Sequence, residues 1–153
     1  KDGIKVIEYN ARFGDPEAMN VLSILKSDFL SICISLVEGK LEKEEVLFDE
    51  LATVCKYVVP LGYPNNSTKG FEVFCDQNDS SLFLASVMFK NKKLIACGSR
   101  TAAVVGKNRD IQKAEAFAEQ GVSNISGKLF HRKDIGTKDL INLRVKRMKE
   151  LLS

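Results

Sequence analysis

The chain has 153 residues, 44% of them hydrophobic and 28% charged, which is enough apolar material for one folded domain or the pieces of two. No apolar run approaches the roughly 20 residues that a membrane-spanning helix needs, so no membrane partner is expected. The net charge of +3 is uneven: residues 1–99 carry 11 basic and 14 acidic side chains, residues 100–153 carry 12 and 6, and a basic second half suits a phosphate-bearing small molecule or nucleic acid without choosing between them.

The first residues, Lys1-Asp2-Gly3, lack the plan of a secretion signal. Residues 4–10 favour a strand through Ile4, Val6, Ile7 and Tyr9. A chain that opens on a strand without Met reads as cut from something longer. A turn follows at Phe13-Gly14-Asp15-Pro16. Asp15 as N-cap and Pro16 as first helical residue predict a helix to about Leu25. Ser27 is placed to cap a second helix, whose apolar positions from Phe29 to Val37 predict burial, and Gly39 ends it. The charged stretch 40–50 reads as a linker, giving domain boundaries of 1–48 and 49–153.

Beyond it the pattern turns to β. Strands are expected over Leu51–Leu61, Phe71–Phe74, Leu82–Phe89, Leu94–Cys97 and Thr101–Val105, with a turn at Gly62–Asn66 and a hairpin at Asn91-Lys92-Lys93. Residues 109–120 change to a helical period through Ile111, Ala114, Phe117 and Ala118, with Gly121 as the break. Thr137–Leu152 is a final helix. Its cations Lys138, Arg144, Lys146, Arg147 and Lys149 alternate with Leu and Ile expected to face the core, and no stacking platform accompanies them, so nucleic acid is not the expected partner.

Four cysteines, Cys33, Cys55, Cys75 and Cys97, lie about twenty residues apart with no C-x-x-C pair and one histidine, His131, so they are expected as reduced, packed thiols rather than a zinc site. His131 is expected at the surface.

The densest chemistry lies in Val6–Glu17. On a strand, Glu8, Asn10 and Arg12 share one face. A carboxylate beside an amide oxygen suits Mg²⁺, a hard cation that also takes substrate phosphates. Arg12 adds a forked cation for phosphate or carboxylate. The following helix start favours negative charge. The same residues also fit a plain solvated edge strand followed by a capped helix.

The stretch Glu8-Tyr9-Asn10-Ala11-Arg12-Phe13-Gly14-Asp15-Pro16-Glu17 resembles the signature that closes the ATP-grasp domain of phosphoribosylamine–glycine ligases. Ser27-Asp28-Phe29-Leu30, Gly62-Tyr63-Pro64, Gly98-Ser99-Arg100 with Ala102–Gly106, and Arg132-Lys133-Asp134-Ile135-Gly136 resemble later motifs of that family in the same order, in a form associated with archaeal members. Leu61 departs from the pattern, standing where a glycine usually precedes Gly-Tyr-Pro.

The resemblance implies an α+β fold: the end of an ATP-grasp domain (a strand plus two helices), then a small mixed α/β C-terminal domain with an antiparallel sheet. It implies a cytoplasmic enzyme of purine synthesis that uses ATP and Mg²⁺ (or Mn²⁺) to join glycine to 5-phosphoribosylamine through a glycyl phosphate. This chain is then a fragment whose partner is the missing upstream part. The resemblance assigns Glu8 and Asn10 to the metal, Arg12 and Asp15 to catalysis, and Glu17, Arg100, Arg132 and Lys133 to substrate. Another ATP-grasp carboxylate–amine ligase, or a non-catalytic folded module, are the competing readings.

Overall fold

The computed structural model describes residue 3 and residues 5–152. Its centre is strand β1, Ala52–Pro60, an almost wholly buried run. Strand β6, Ala102–Asn108, pairs antiparallel with it from Ala52↔Asn108 to Val58↔Ala102. Two short strands complete this sheet, β3 (Leu82–Leu84) against β6 and β7 (Leu129–His131) against β1, giving the order β3-β6-β1-β7. A second sheet has the order β2-β5-β4, from Glu72–Val73, Lys93–Ala96 and Val87–Lys90.

The twofold alternation of a strand gives β1 two different faces. Val54 and Val58 face helix α3, Ile111–Ser123, where Ala114, Ala118 and Val122 are buried. Cys55 faces the other way, into a cluster with Ala103 and Val105, with Met19 and Tyr57 packed against it. Met19 belongs to helix α1, Glu17–Leu22, so the four-stranded sheet is covered by α3 on one face and partly by α1 on the other. The second sheet adds Val73, Leu94 and Ala96 to the core that holds Val58, Val104 and Val122.

The antiparallel α+β class is as expected, with several local corrections. The strand anticipated over 4–10 does not form. Ile4 lies outside the described residues, and residues 5–10 carry no ladder. A strand needs a neighbour for its backbone groups, and here Val6, Ile7 and Tyr9 are 68, 96 and 89% exposed. Helix α2, Phe29–Val37, forms as expected but is not largely buried: Leu30, Leu36 and Val37 are open and Ser35 is its one buried residue. Its cap is Asp28 rather than Ser27, with the Asp28 carboxylate accepting from the Ser31 amide at 2.8 Å. The charged stretch 40–50 is not a free tether. A 3₁₀ turn at Leu41–Lys43 brings Glu44 onto the Ser35 hydroxyl, and Ser27 donates to the Glu45 carbonyl at 3.1 Å.

The run Leu82–Phe89 is two strands in two sheets. At the corner between them the Ala85 and Ser86 amides bond to Thr101 and Arg100 carbonyls at 3.0 and 2.9 Å. The hairpin at Asn91-Lys92 is as expected, with both residues at positive φ. Gly121 does not end its helix. It lies inside α3, where a Cβ would stand 2.6 Å from Val104 Cγ1, so glycine there permits close helix–sheet approach. The last helix, α4 (Lys138–Leu152), packs only through its first turns. Leu143, Met148, Leu151 and Leu152 are 51, 53, 71 and 81% exposed, so its cations do not alternate with core-facing residues beyond Leu140 and Ile141.

Candidate functional site

The face of β1 opposite α3 floors a cleft of about 440 Å³ lined by Tyr57, Val59, Tyr63, Arg100, Phe130 and Arg132, among others. Tyr57 and Val59 come from β1, Phe130 from β7, Tyr63 from the turn after β1, and Arg100 from the loop entering β6. Antiparallel pairing of β6 and β7 on either side of β1 sets these side chains around one space.

From the other end of the sequence, Pro16 lines the same cleft and Asp15 before it bonds two of the lining residues. Its carboxylate accepts from the Tyr57 hydroxyl at 2.7 Å and from Arg100 Nη1 at 2.7 Å. Asp15 therefore does not cap α1. Pro16 holds the N-cap position with no side-chain bond. The physical reason is competition: a paired guanidinium and a phenol offer the carboxylate charge-assisted bonds that exceed one amide contact. The Arg100 guanidinium also lies 5.5 Å from the Tyr57 ring centroid, a cation–π distance. The Tyr63 hydroxyl and then Asp15 hold the Arg100 guanidinium above its ordinary value. Burial, and then the bond to Asp15, push the Tyr57 phenol up.

Arg132 stands on the rim with a fork on Asp134, Nε and Nη2 meeting the two carboxylate oxygens at 3.0 and 2.6 Å. That fork holds the Asp134 carboxyl below the usual carboxylate range. Arg132 keeps donors on its remaining nitrogen for a ligand. Lys133, its neighbour, is exposed and does not line the cleft; its backbone carbonyl accepts a bond from buried Lys56 at 3.0 Å.

The remaining expected residues gather elsewhere. Asn10, Arg12 and Glu17 line a shallow depression with Phe13 and Val21. Arg12 Nη1 donates to the Phe13 carbonyl at 2.8 Å, and Glu17 accepts from the Gly14 amide at 3.2 Å. The Asn10 amide nitrogen lies 3.3 Å from Glu8 Oε1, on exposed chain. In this contact the Asn10 N–H faces the carboxylate; it is the Glu8 carboxylate and the Asn10 amide oxygen that are hard donors of the kind Mg²⁺ takes, leaving most of its shell to water and phosphate oxygens. The structure thus joins Asp15, Arg100 and Arg132 around one cleft, and Glu8 and Asn10 as a second, separate pair.

Sequence reasoning missed three residues. Tyr57 was hidden in a run read only as strand, although its alternation with Cys55 and Val59 puts it on their face. Lys56 lies in the same expected strand, and nothing in its spacing marks it. His131 was expected at the surface, yet its side chain is 14% exposed and its Nε2 lies 3.1 Å from Glu119.

The cleft thus brings two tyrosines and two guanidiniums together in a two-sheet α+β domain. Residues 53–138 match the family model "Phosphoribosylglycinamide synthetase, C domain", and the chain belongs to that family. It is 51% identical over 155 residues to a phosphoribosylamine–glycine ligase of Methanococcus maripaludis, covering 98% of this chain and 35% of the relative. It is 49% identical over 156 residues to the ligase of Methanocaldococcus jannaschii, covering 99% of this chain and 35% of the relative. The crystal structure of phosphoribosylamine–glycine ligase from Thermotoga maritima superposes with a TM-score of 0.73 at 25% identity, covering 85% of this chain and 33% of the other. The chain spans about a third of the length of the relatives it matches. Among the described residues no helix is long and apolar enough to cross a membrane.

Proposed function

We propose that this chain is the C-terminal portion of a cytoplasmic, ATP-dependent phosphoribosylamine–glycine ligase, inactive without its upstream portion. The reading divides it into the end of an ATP-grasp domain, residues 1–48, and a C-terminal domain, residues 49–153. The observation that carries the reading is the meeting of Asp15 with Arg100 at 2.7 Å beside the rim residue Arg132. Residues from three family-like motifs meet at one cleft.

In the proposed reaction the glycine carboxylate takes the γ-phosphoryl group of ATP and ADP leaves. The phosphoribosylamine nitrogen then attacks the acyl carbon, loses a proton, and phosphate departs. No protein nucleophile is needed, so the work of this chain is positioning and charge stabilisation. Arg100 and Arg132 hold the ribose phosphate through guanidinium N–H groups not turned to Asp15 and Asp134. Lys133 adds positive charge nearby. Arg12 steadies the transferring phosphoryl group. Asp15 uses one lone pair on each oxygen for Tyr57 and Arg100 and keeps others for a substrate amine, with Glu17 assisting. Glu8 and Asn10 would hold Mg²⁺ or Mn²⁺, which supplies neutralisation of phosphate charge.

Ribose 5-phosphate tests the cleft directly, because Tyr57 and Tyr63 line it and report occupancy by fluorescence. Arg100→Ala or Arg132→Ala is expected to weaken binding roughly 10- to 100-fold, the worth of about 1.5–3 kcal/mol for a charged hydrogen bond. Equal affinity in wild type and both variants would move the phosphate elsewhere.

A further inference from the structure

Behind the cleft floor, a lysine stands in an otherwise apolar row. Val54, Lys56 and Val58 share the face of β1 that packs on α3, and the Lys56 side chain is 0% exposed. Burying an ammonium is costly unless it is fully partnered. Lys56 has three N–H donors and each has an acceptor: Glu115 Oε1 at 2.6 Å, Glu119 Oε2 at 2.6 Å and the Lys133 carbonyl at 3.0 Å. The two glutamates come from α3. The third acceptor is the backbone of the loop that carries Arg132 to the cleft rim.

An apolar side chain at this position would pack against α3 as its neighbours do, and such replacements of buried ion pairs are often neutral for stability. What an apolar residue cannot do is hold the Lys133 carbonyl. Two further contacts grip the same loop. Gly136, at φ +79°, runs so close to β1 that a Cβ would stand 2.8 Å from Val54 Cγ1. His131 Nε2, at the loop's start, lies 3.1 Å from Glu119 Oε1, the other oxygen of a carboxylate that Lys56 binds.

We infer that Lys56 is a positioning residue: through the Lys133 carbonyl it fixes the loop 131–136 so that Arg132 stands at the cleft rim. Glu115 and Glu119 neutralise it and aim its ammonium, and His131 ties Glu119 to the same loop. The effect on ligand binding rests on the reading of the cleft as a phosphate site; the effect on the loop does not.

The test uses this chain and two variants, Lys56→Met and the triple variant K56M/E115Q/E119Q. The single variant leaves Glu115 and Glu119 without their lysine and is expected to melt early. The triple variant removes that uncompensated charge and is expected to regain most of the melting temperature. In it, trypsin is expected to cut after Arg132 and Lys133 at least tenfold faster than in wild type, with other sites unchanged. Ribose 5-phosphate affinity is expected to fall about tenfold. A triple variant with a resistant loop and full affinity would make Lys56 structural only and overturn the inference. If wild type binds no ribose 5-phosphate, the phosphate reading of the cleft fails, and the cleavage pattern still decides whether Lys56 holds the loop.

Discussion

Asp15 and Arg100 are 85 positions apart, yet the carboxylate and guanidinium meet at 2.7 Å. The contact joins the segment before α1 to the loop entering β6, and the Tyr57 hydroxyl on the same carboxylate ties both to the central strand. A bond expected to belong to a helix cap is instead a tie across the fold.

The Asp15–Arg100 side chains are 56 and 37% exposed, so their pair contributes little to stability, about 1 kcal/mol at most. Asp15→Asn is therefore expected to shift the melting temperature by only a few degrees. In the enzyme completed by its upstream portion it is expected to lower turnover tenfold or more. A large loss of stability with normal turnover would make Asp15 a structural tie alone.

Glu8 is exposed, and the Asn10 amide nitrogen lies 3.3 Å from its carboxylate. Glu8→Ala is expected to leave the melting curve in place and to abolish turnover of the completed enzyme at any magnesium concentration. Near-normal turnover would remove Glu8 from the metal's ligands.

Glu119 gives a pH dependence with a definite sign. Burial raises its carboxyl, but bonds from Lys56 and His131 outweigh that and hold it below the ordinary value of 4.5. The unfolded chain therefore takes up the proton first as pH falls. The stabilisation is present above about pH 4.5 and is lost as pH drops through the lower folded value. Denaturant titrations between pH 3 and 7 are expected to show an acid limb that Glu119→Gln flattens. An acid limb of unchanged steepness in that variant would assign it to other carboxylates.

The cysteines are expected to separate by reactivity. Burial, and then the charge of Asp15, push the Cys55 thiol up to about 12 from 9.0, while Cys97 is exposed. A thiol held that high is almost wholly protonated at pH 8, and the thiolate is the reactive form. A thiol reagent at pH 8 should modify Cys97 first and Cys55 only on unfolding, as peptide mapping would read. Early labelling of Cys55 would mean that the sheet opens between α1 and β1.

The sequence made most of the β region legible because Leu51–Leu61 and Thr101–Val105 carry the apolar runs of buried strands, and Asn91-Lys92 sits between two such runs. It could not show that Leu82–Phe89 bends from one sheet to another, since the corner at Ala85 and Ser86 is made by distant carbonyls of Arg100 and Thr101. The apolar positions of the second helix marked Leu30 and Val37 as buried, but what covers a residue is a tertiary fact. The motif residues Asp15, Arg100 and Arg132 were readable individually through the resemblance. Their convergence was not, because it depends on β1 lying between β6 and β7. Lys56 was unreadable for the opposite reason: a lone lysine in a strand looks solvated until its three acceptors are seen.

The central claim is that this chain completes a glycine-ligating enzyme. The most direct measurement is ADP release that depends on both glycine and phosphoribosylamine, made with this chain alone and with its upstream portion restored. The account predicts no release from the chain alone and release from the completed protein only when both substrates are present. A folded, completed protein that releases no ADP under those conditions would contradict it.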